Sequence, residues 1–330
     1  VTALLAAEHL SRQFGTRGLL SKRRPVQAVT DVSFAIGRGE AVGLVGESGS
    51  GKSTIGRLVL GLLPPTAGRV ALDGADVARA RGSALRALRR RMQLVFQNPD
   101  SSLDPRRRIG AQIIDGLATH AIVAKAERRA RAAALLHQVG LSATHLDRFP
   151  HEFSGGQRQR IAIARALATE PEFLVADEPV SALDVSVQAQ VLALLADLRS
   201  RLGLGLLFIS HDLSVVRSLC DRVLVLYLGR IMEEGPAEAV LDHPRHPYTR
   251  ALLSAVPSLD AARRRTRILL QGDLPSPSNP PTGCVFRTRC PWAIADCATA
   301  VPALREVGAA HRAACIRADI DVTPGTSSPA

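Results

Sequence analysis

The sequence predicts an α/β fold. It should have a mostly parallel sheet flanked by helices, an N-terminal antiparallel β part, an inserted helical subdomain at about 100–160 and a small cysteine-containing C-terminal extension. Three observations point there. Short apolar runs of strand type alternate with helical segments, the pattern of a parallel sheet. A glycine-rich loop ending in Lys-Ser stands between one such strand and the helix after it. After Pro257 the composition changes to a basic run (Arg263–Arg267), a segment with four prolines (Gln271–Pro281) and then clustered cysteines. The chain therefore divides into 1–256 and 257–330.

Taken in order, β-like runs at Ala3–Leu5 and Val32–Ile36 lead to Ala41–Val45, a compact apolar strand that ends in glycine. A helix follows from about Lys52 to Leu62 and is stopped by Pro64-Pro65. Arg69–Leu72 and Met92–Phe96 read as strands. From about Arg107 to Val139 the Ala/Arg/Leu spacing is helical. A loop of small residues, Phe153–Gln157, opens another helix that runs to about Ala168. Phe173–Ala176 and Leu206–Ile209 are strands of the buried type, with the helix Val187–Arg201 between them.

Hydrophobic residues make up 46% of the 330, enough for a substantial core. No uncharged apolar run approaches the ~18–20 residues of a membrane span. The most apolar stretches, Leu202–Ser210 and Val223–Gly229, are strand-sized. Val1–Leu10 carries Glu8 and His9 in its apolar run and has no basic leader, so a cytosolic chain able to lie against a membrane is expected. The net charge of +12, from 42 Lys+Arg against 30 Asp+Glu, suits nucleic acid, an anionic membrane surface or phosphate ligands, and equally well a set of solvated Arg-rich helix faces. With only 3% aromatics, the stacking platforms of a single-strand binder are mostly missing. Five cysteines in a cytosolic chain argue against a disulfide framework.

The chemistry starts at Gly46-Glu47-Ser48-Gly49-Ser50-Gly51-Lys52-Ser53, followed by Thr54, which fits G-x-x-x-x-G-K-[ST] in its required strand-to-helix context. Glycines let backbone N–H groups turn toward phosphate oxygens, and the helix N-terminus adds partial positive charge. Lys52 would reach the β- and γ-phosphates of a nucleotide, and Ser53 would give its hydroxyl to Mg²⁺. Such a loop needs a carboxylate on another strand, and Phe173-Leu-Val-Ala-Asp177-Glu178 supplies two. Asp177 would hold the metal's water shell, while Glu178, on the opposite side of the extended chain, could polarise an attacking water. Together these predict a P-loop enzyme that binds nucleotide phosphates and Mg²⁺; many enzyme classes share this motif pair.

Phe153-Ser154-Gly155-Gly156-Gln157 closely resembles the LSGGQ signature of the ABC ATPases, with Phe in place of Leu. The resemblance implies a head-to-tail dimer in which this loop caps ATP held by the partner's P-loop. It also implies roles for three more residues. Gln97 matches the glutamine that contacts Mg²⁺ or water and couples to membrane subunits; Asp184, closing Ser181-Ala-Leu-Asp184, matches the D-loop; His211 matches the switch histidine near the γ-phosphate. Phe14 is the candidate for stacking on adenine, with a plain core role as the alternative. Every catalytic motif is present over roughly Leu4 to Pro257, so real ATP hydrolysis is expected.

The stretch from Lys52 to Ser154 is too short for long coiled coils and has no sustained heptads, and there is one ATPase unit, so a transporter subunit is preferred over a nucleic-acid-linked ABC ATPase. Gln97-Asn-Pro-Asp-Ser-Ser-Leu-Asp-Pro105, His246-Pro-Tyr-Thr-Arg-Ala-Leu-Leu253 and the insertion Gly15–Pro25 look like the oligopeptide/dipeptide importer branch. That likeness implies di- or oligopeptide import at the cytoplasmic face of the membrane. It implies as partners a second ATPase subunit (a paralogue), two permease subunits and an extracytoplasmic solute-binding protein. Nickel and other small solutes use close relatives and stay open as cargo. Cys284-x₅-Cys290-x₆-Cys297-x₁₇-Cys315 could hold Zn²⁺ or an iron–sulfur cluster, though the spacing matches neither a CxxC zinc pair nor a ferredoxin. The segment resembles the C-terminal cysteine region of peptide-importer ATPases, which is associated with a 4Fe–4S cluster; structural thiols are the remaining alternative.

Overall fold

Strand formers at the N-terminus build two long strands, β1 (Leu5–Phe14) and β2 (Val26–Ile36), paired antiparallel from Leu5↔Ile36 to Phe14↔Val26. This is a computed structural model, and it describes residues 3–15, 24–256 and 267–318. Most of the insertion Gly15–Pro25, the boundary at Pro257 and most of the basic run after it lie outside the described residues. The chain then enters a second sheet with β3 (Ala41–Val45), turns through helix α1 (Lys52–Val59), and returns to the first sheet as β4 (Ala67–Leu72) and β5 (Ala75–Asp76). The first sheet has the order β2-β1-β4-β5 and is antiparallel throughout, as expected of the N-terminal part.

Helix α2 (Gly82–Arg91) leads to β6 (Met92–Val95), and the helical insert follows. The predicted helix 107–139 is two helices, α3 (Ile109–Thr119) and α4 (Arg128–Gln138). The break falls at Ala121, whose φ of 49° is left-handed, just before the β-branched Ile122-Val123 pair. Ile109, Ile113 and Leu117 stack at four-residue spacing on the buried face of α3, against Leu135, Leu136 and α5 (Gly155–Leu167).

Three further strands complete the parallel core: β7 (Phe173–Asp177), β8 (Gly205–Ser210) and β9 (Arg222–Tyr227), with α6 (Val185–Leu202) and α7 (Leu213–Leu219) as crossovers. The parallel order is β9-β3-β8-β7-β6. Every residue of β3 and β8 is buried, as strands covered on both faces require.

The extension joins this sheet. Strand β10 (Arg230–Pro236) runs back along β9, helices α8 (Ala237–Asp242) and α9 (Pro247–Ser254) follow, and the hairpin β11 (Arg305–Gly308)–β12 (His311–Ala313) adds to the edge of β10. An edge strand with unpaired backbone groups is thereby covered. Composition gave no hint of this, because β11 and β12 are short and rich in charge. Glu233 of β10 is fully buried; its carboxylate accepts from the N–H groups of Arg245 (2.6 Å) and His246 (3.0 Å) and lies 2.7 Å from His311 Nε2. Beside it an aromatic cluster closes the junction: Tyr227 and Tyr248 stand edge-on at 4.7 Å, and Phe286 of the extension meets them at 5.2 and 5.3 Å.

His246 caps α9 with its Nδ1 accepting from the Tyr248 N–H (3.0 Å), and complete burial pushes its pKa down to about 4. The unfolded chain takes up this proton near the usual ~6.5, whereas the folded chain resists it. The stability this neutral imidazole confers is therefore complete above that value and declines as pH falls toward about 4. His246→Asn, which keeps a cap acceptor, should melt with a flatter pH dependence than the wild type across that window. Thermal melts at stepped pH measure it.

Candidate functional site

Four loops reach one edge of the sheet because β3, β6, β7 and β8 run the same way. The first is the glycine loop between β3 and α1. Gly46 and Gly51 have φ of 152° and 106°, and a Cβ on them would sit 2.1 Å from the Leu226 carbonyl and 2.3 Å from the Ala28 carbonyl, so only glycine fits. Lys52 is 6% exposed, and its ammonium donates to the carbonyls of Gly46 (2.8 Å) and Glu47 (2.9 Å). Burial lowers its pKa, opposed by the nearby Glu178, Asp177 and Glu47 carboxylates. Ser50 Oγ is buried without a partner among the described residues, whereas Ser48 and Gly49 lie exposed.

Ser53 Oγ, at the start of α1, donates to Asp177 Oδ1 at the end of β7 (3.1 Å). Burial raises the Asp177 pKa despite that hydrogen bond. A half-buried carboxylate beside a hydroxyl is a hard-oxygen pair that a divalent cation would relieve, so these residues fit Mg²⁺. Glu178 has a left-handed φ of 47°, a conformation unusual outside glycine, and its N–H is fixed to the Ile209 carbonyl (3.0 Å). Its Oε2 accepts from Gln97 Nε2 (3.0 Å), which follows β6, and lies 3.2 Å from His211 Nδ1, which follows β8. Three loops thus meet on one carboxylate oxygen. Ser181 adds a hydroxyl 3.4 Å from the Gln97 amide.

Not every candidate is gathered there. Ser154 caps α5, its Oγ accepting from the Gln157 N–H (3.3 Å) while Gln157 Oε1 accepts from the Ser154 N–H (3.1 Å), a reciprocal capping box. The neighbours of Gly155 and Gly156 are Leu183 and Val187, at the Asp184 end of α6. Among the described residues no hydrogen bond joins Ser154–Gln157 to the glycine loop. Phe14 ends β1, partly exposed, with the Arg12 guanidinium 4.8 Å over its ring.

The tail cysteines converge, but not as a preformed metal centre. Cys284, Cys290, Cys297 and Cys315 line one cavity of ≈ 10 Å³ with His246, Phe286 and Trp292. That is room for about one water. Among the described residues no three Cys, His, Asp or Glu side chains are gathered to hold a metal ion. By itself this arrangement does not form the expected zinc or iron–sulfur site. Burial raises the pKa of Cys284 and Cys315 and pushes that of Cys290 up to about 12.

Sequence reasoning missed two residues at the glycine loop. Tyr248 Oη accepts from the Glu47 N–H (2.8 Å), and Arg289 donates to both Glu47 carboxylate oxygens (2.7 and 3.2 Å). Both lie in segments noted only as hallmarks of a branch. The unexplained Tyr and Arg within those apolar, Pro- and Cys-bounded stretches were the available signal.

With this geometry in hand, comparisons with known proteins are direct. The family model for "ABC transporter" matches residues 29–181, and that for "Oligopeptide/dipeptide transporter, C-terminal region" matches 232–297. A putative peptide import ATP-binding protein of Brucella ovis is 59% identical over 319 residues, spanning 97% of this chain and 99% of that one. The dipeptide transport ATP-binding protein DppF of Escherichia coli is 47% identical over 97% of this chain and 96% of its own. Among solved structures, cbiO1 from Clostridium perfringens has a TM-score of 0.65 at 29% identity, covering 74% of this chain and 92% of that one. The dimeric structure of MJ0796, a bacterial ABC transporter cassette, has a TM-score of 0.62 at 28% identity, covering 71% and 98%.

Glu178→Gln should lower phosphate release by about 10²–10⁴-fold while leaving ATP binding intact. Lys52→Ala should lose binding itself. Phosphate release under saturating ATP, set beside titration with a fluorescent ATP analogue, separates the two effects.

Proposed function

The chain belongs to the ABC transporter ATPases, in the branch that carries the oligopeptide/dipeptide C-terminal region, and on that premise we propose that its ATP hydrolysis energises import of di- or oligopeptides. One observation carries the ATPase part of the reading: Gln97, Glu178 and His211 meet on a single carboxylate oxygen beside the Ser53–Asp177 pair. The peptide part is supported by near full-length likeness to peptide and dipeptide import ATP-binding proteins.

In this reading the Gly46–Thr54 loop binds the phosphates and Lys52 shifts a hydrogen bond from its own loop to the β- and γ-phosphate oxygens. Mg²⁺, when bound, neutralises phosphate charge, and Ser53, Asp177 and Gln97 would hold it. Glu178 Oε2 takes a proton from the attacking water as its oxygen bonds to the γ-phosphorus. The bond from that phosphorus to the bridging oxygen breaks, and ADP leaves with the electron pair. Gln97 and His211 orient the carboxylate, and His211 contacts the γ-phosphate. Ser154–Gln157 and Asp184 act on the nucleotide of a second ATPase subunit, and Phe14 stacks on adenine.

Two permease subunits complete the assembly, fed by a solute-binding protein. Their contact is supported by a groove of ≈ 230 Å³ leading to the Gln97 loop, lined by Leu60, Leu62, Met92, Phe96, Ala162 and Arg165. Leu62 and Phe96, 49% and 40% exposed, lie together on that groove. Among the described residues no helix is long and apolar enough to cross a membrane.

For the tail, the finer reading is a 4Fe–4S cluster on Cys284, Cys290, Cys297 and Cys315. Convergence of the four on one cavity supports it; it requires the thiols to deprotonate and the cavity to widen.

Peptide uptake into vesicles holding the whole transporter tests the function: uptake should be ATP-dependent and lost with Glu178→Gln, and uptake of nickel but no peptide would overturn the cargo. Leu62→Glu should abolish uptake while the isolated subunit still hydrolyses ATP. Iron and sulfide in anaerobically purified protein decide the tail; their absence leaves packed thiols.

A further inference from the structure

Glu47 is the second residue of the phosphate loop, a position the motif leaves free. Yet all three of its polar groups are committed. Its N–H donates to Tyr248 Oη at 2.8 Å, its carbonyl accepts the Lys52 ammonium at 2.9 Å, and its carboxylate takes the forked pair from Arg289 at 2.7 and 3.2 Å. The Arg289 side chain is only 10% exposed, and Tyr227 lies against it. A two-pronged guanidinium–carboxylate pair fixes orientation as well as distance, and a buried guanidinium deprived of its carboxylate is strongly disfavoured. Arg289 is itself held: Phe286, three residues earlier, is fully buried among Tyr227, Tyr248 and His246, and the Arg289 N–H donates to the Phe286 carbonyl (3.0 Å). A continuous path therefore runs from the extension through Arg289 and Glu47 to the carbonyl on which Lys52 rests.

We propose that Arg289 is a positioning residue for nucleotide binding: by clamping Glu47 it presets the phosphate loop and Lys52, so that the C-terminal extension, and not the ATPase core alone, sets the affinity for ATP. This rests on the reading that the loop binds the phosphates of ATP. Arg289 touches no reacting atom; it acts through Glu47.

The test uses the full-length chain and a fluorescent ATP analogue. Wild type must bind and Lys52→Ala must not; failure at that step would overturn the phosphate-site reading itself and is distinguishable from failure of the clamp. Given that control, Arg289→Ala should raise Kd about tenfold, and Arg289→Lys, which keeps charge but not the fork, should fall between. Glu47→Gln should raise Kd similarly, and Glu47→Gln with Arg289→Ala should be no worse than either alone, the signature of two groups acting as one. Saturating-ATP turnover should change less than KM. A lower melting temperature with wild-type Kd would show that Arg289 merely staples the extension and would overturn the proposal. So would strictly additive effects of the two substitutions. Should Arg289→Ala not fold, Glu47→Gln alone still decides: unchanged Kd refutes the clamp, and a tenfold rise upholds it.

Discussion

Two main-chain carbonyls restrict what the phosphate loop can be. Leu226, on β9, and Ala28, on β2, press so closely on residues 46 and 51 that no Cβ has room at either place. Main-chain hydrogen bonds also tie the loop between the two sheets: the Gly229 N–H donates to the Ser50 carbonyl (2.8 Å), and the Thr30 N–H donates to the Gly229 carbonyl (2.8 Å). Backbone packing sets where the loop stands at the sheet edge. The acids, the amide and the imidazole are placed relative to that fixed point by parallel strands, which deliver their C-terminal ends to the same side. The left-handed backbone at Glu178 is intelligible on the same ground: the turn out of β7 must aim the carboxylate across β8 toward His211.

This division explains what could be read from the sequence. Ala41–Val45, Phe173–Ala176 and Leu206–Ile209 were legible because strands buried on both faces must be apolar throughout, and all three stand where expected. The residues around Glu178 were legible through motif order, since isolated loop residues such as Gln97 and His211 carry no local signature. Helices α3 and α4 merged in prediction because a break set by one left-handed residue, Ala121, leaves the periodicity on either side intact. Strands β11 and β12 were illegible for the opposite reason. They are short, and their pairing to β10 is specified by long-range partners, His311 to Glu233 and Arg312 to Glu234, which local composition cannot express. The clamp on Glu47 was hidden likewise, joining residues 242 positions apart.

The excess of basic residues also takes on a defined shape. Many arginines are spent in surface pairs, among them Arg129 with Asp147 (2.7 Å), Arg107 with Asp115 (2.6 Å) and Arg38 with Glu172 (2.6 Å). Exposed pairs like these contribute little each. Arg289 differs in kind, because its side chain is only 10% exposed and its carboxylate partner, Glu47, belongs to the phosphate loop. On the proposed reading, it is this one arginine, and not the net charge of the chain, that bears on the site.

The signature loop completes the reasoning about assembly. Ser154 and Gln157 satisfy each other at the start of α5, so that helix N-terminus is stable with no anion present and is ready-made for one. It stands beside Leu183 and Val187, whereas the phosphate loop is held by Ala28, Leu226 and Glu47's partners. On the proposed reading, one chain carries two phosphate-binding features set in different surroundings, and a lysine at only one of them. On the proposed reading that asymmetry is what demands a second subunit: each ATP needs the lysine-bearing loop of one chain and the capped helix of the other. The dimeric cassette structure similar to this chain is of the kind this argument requires.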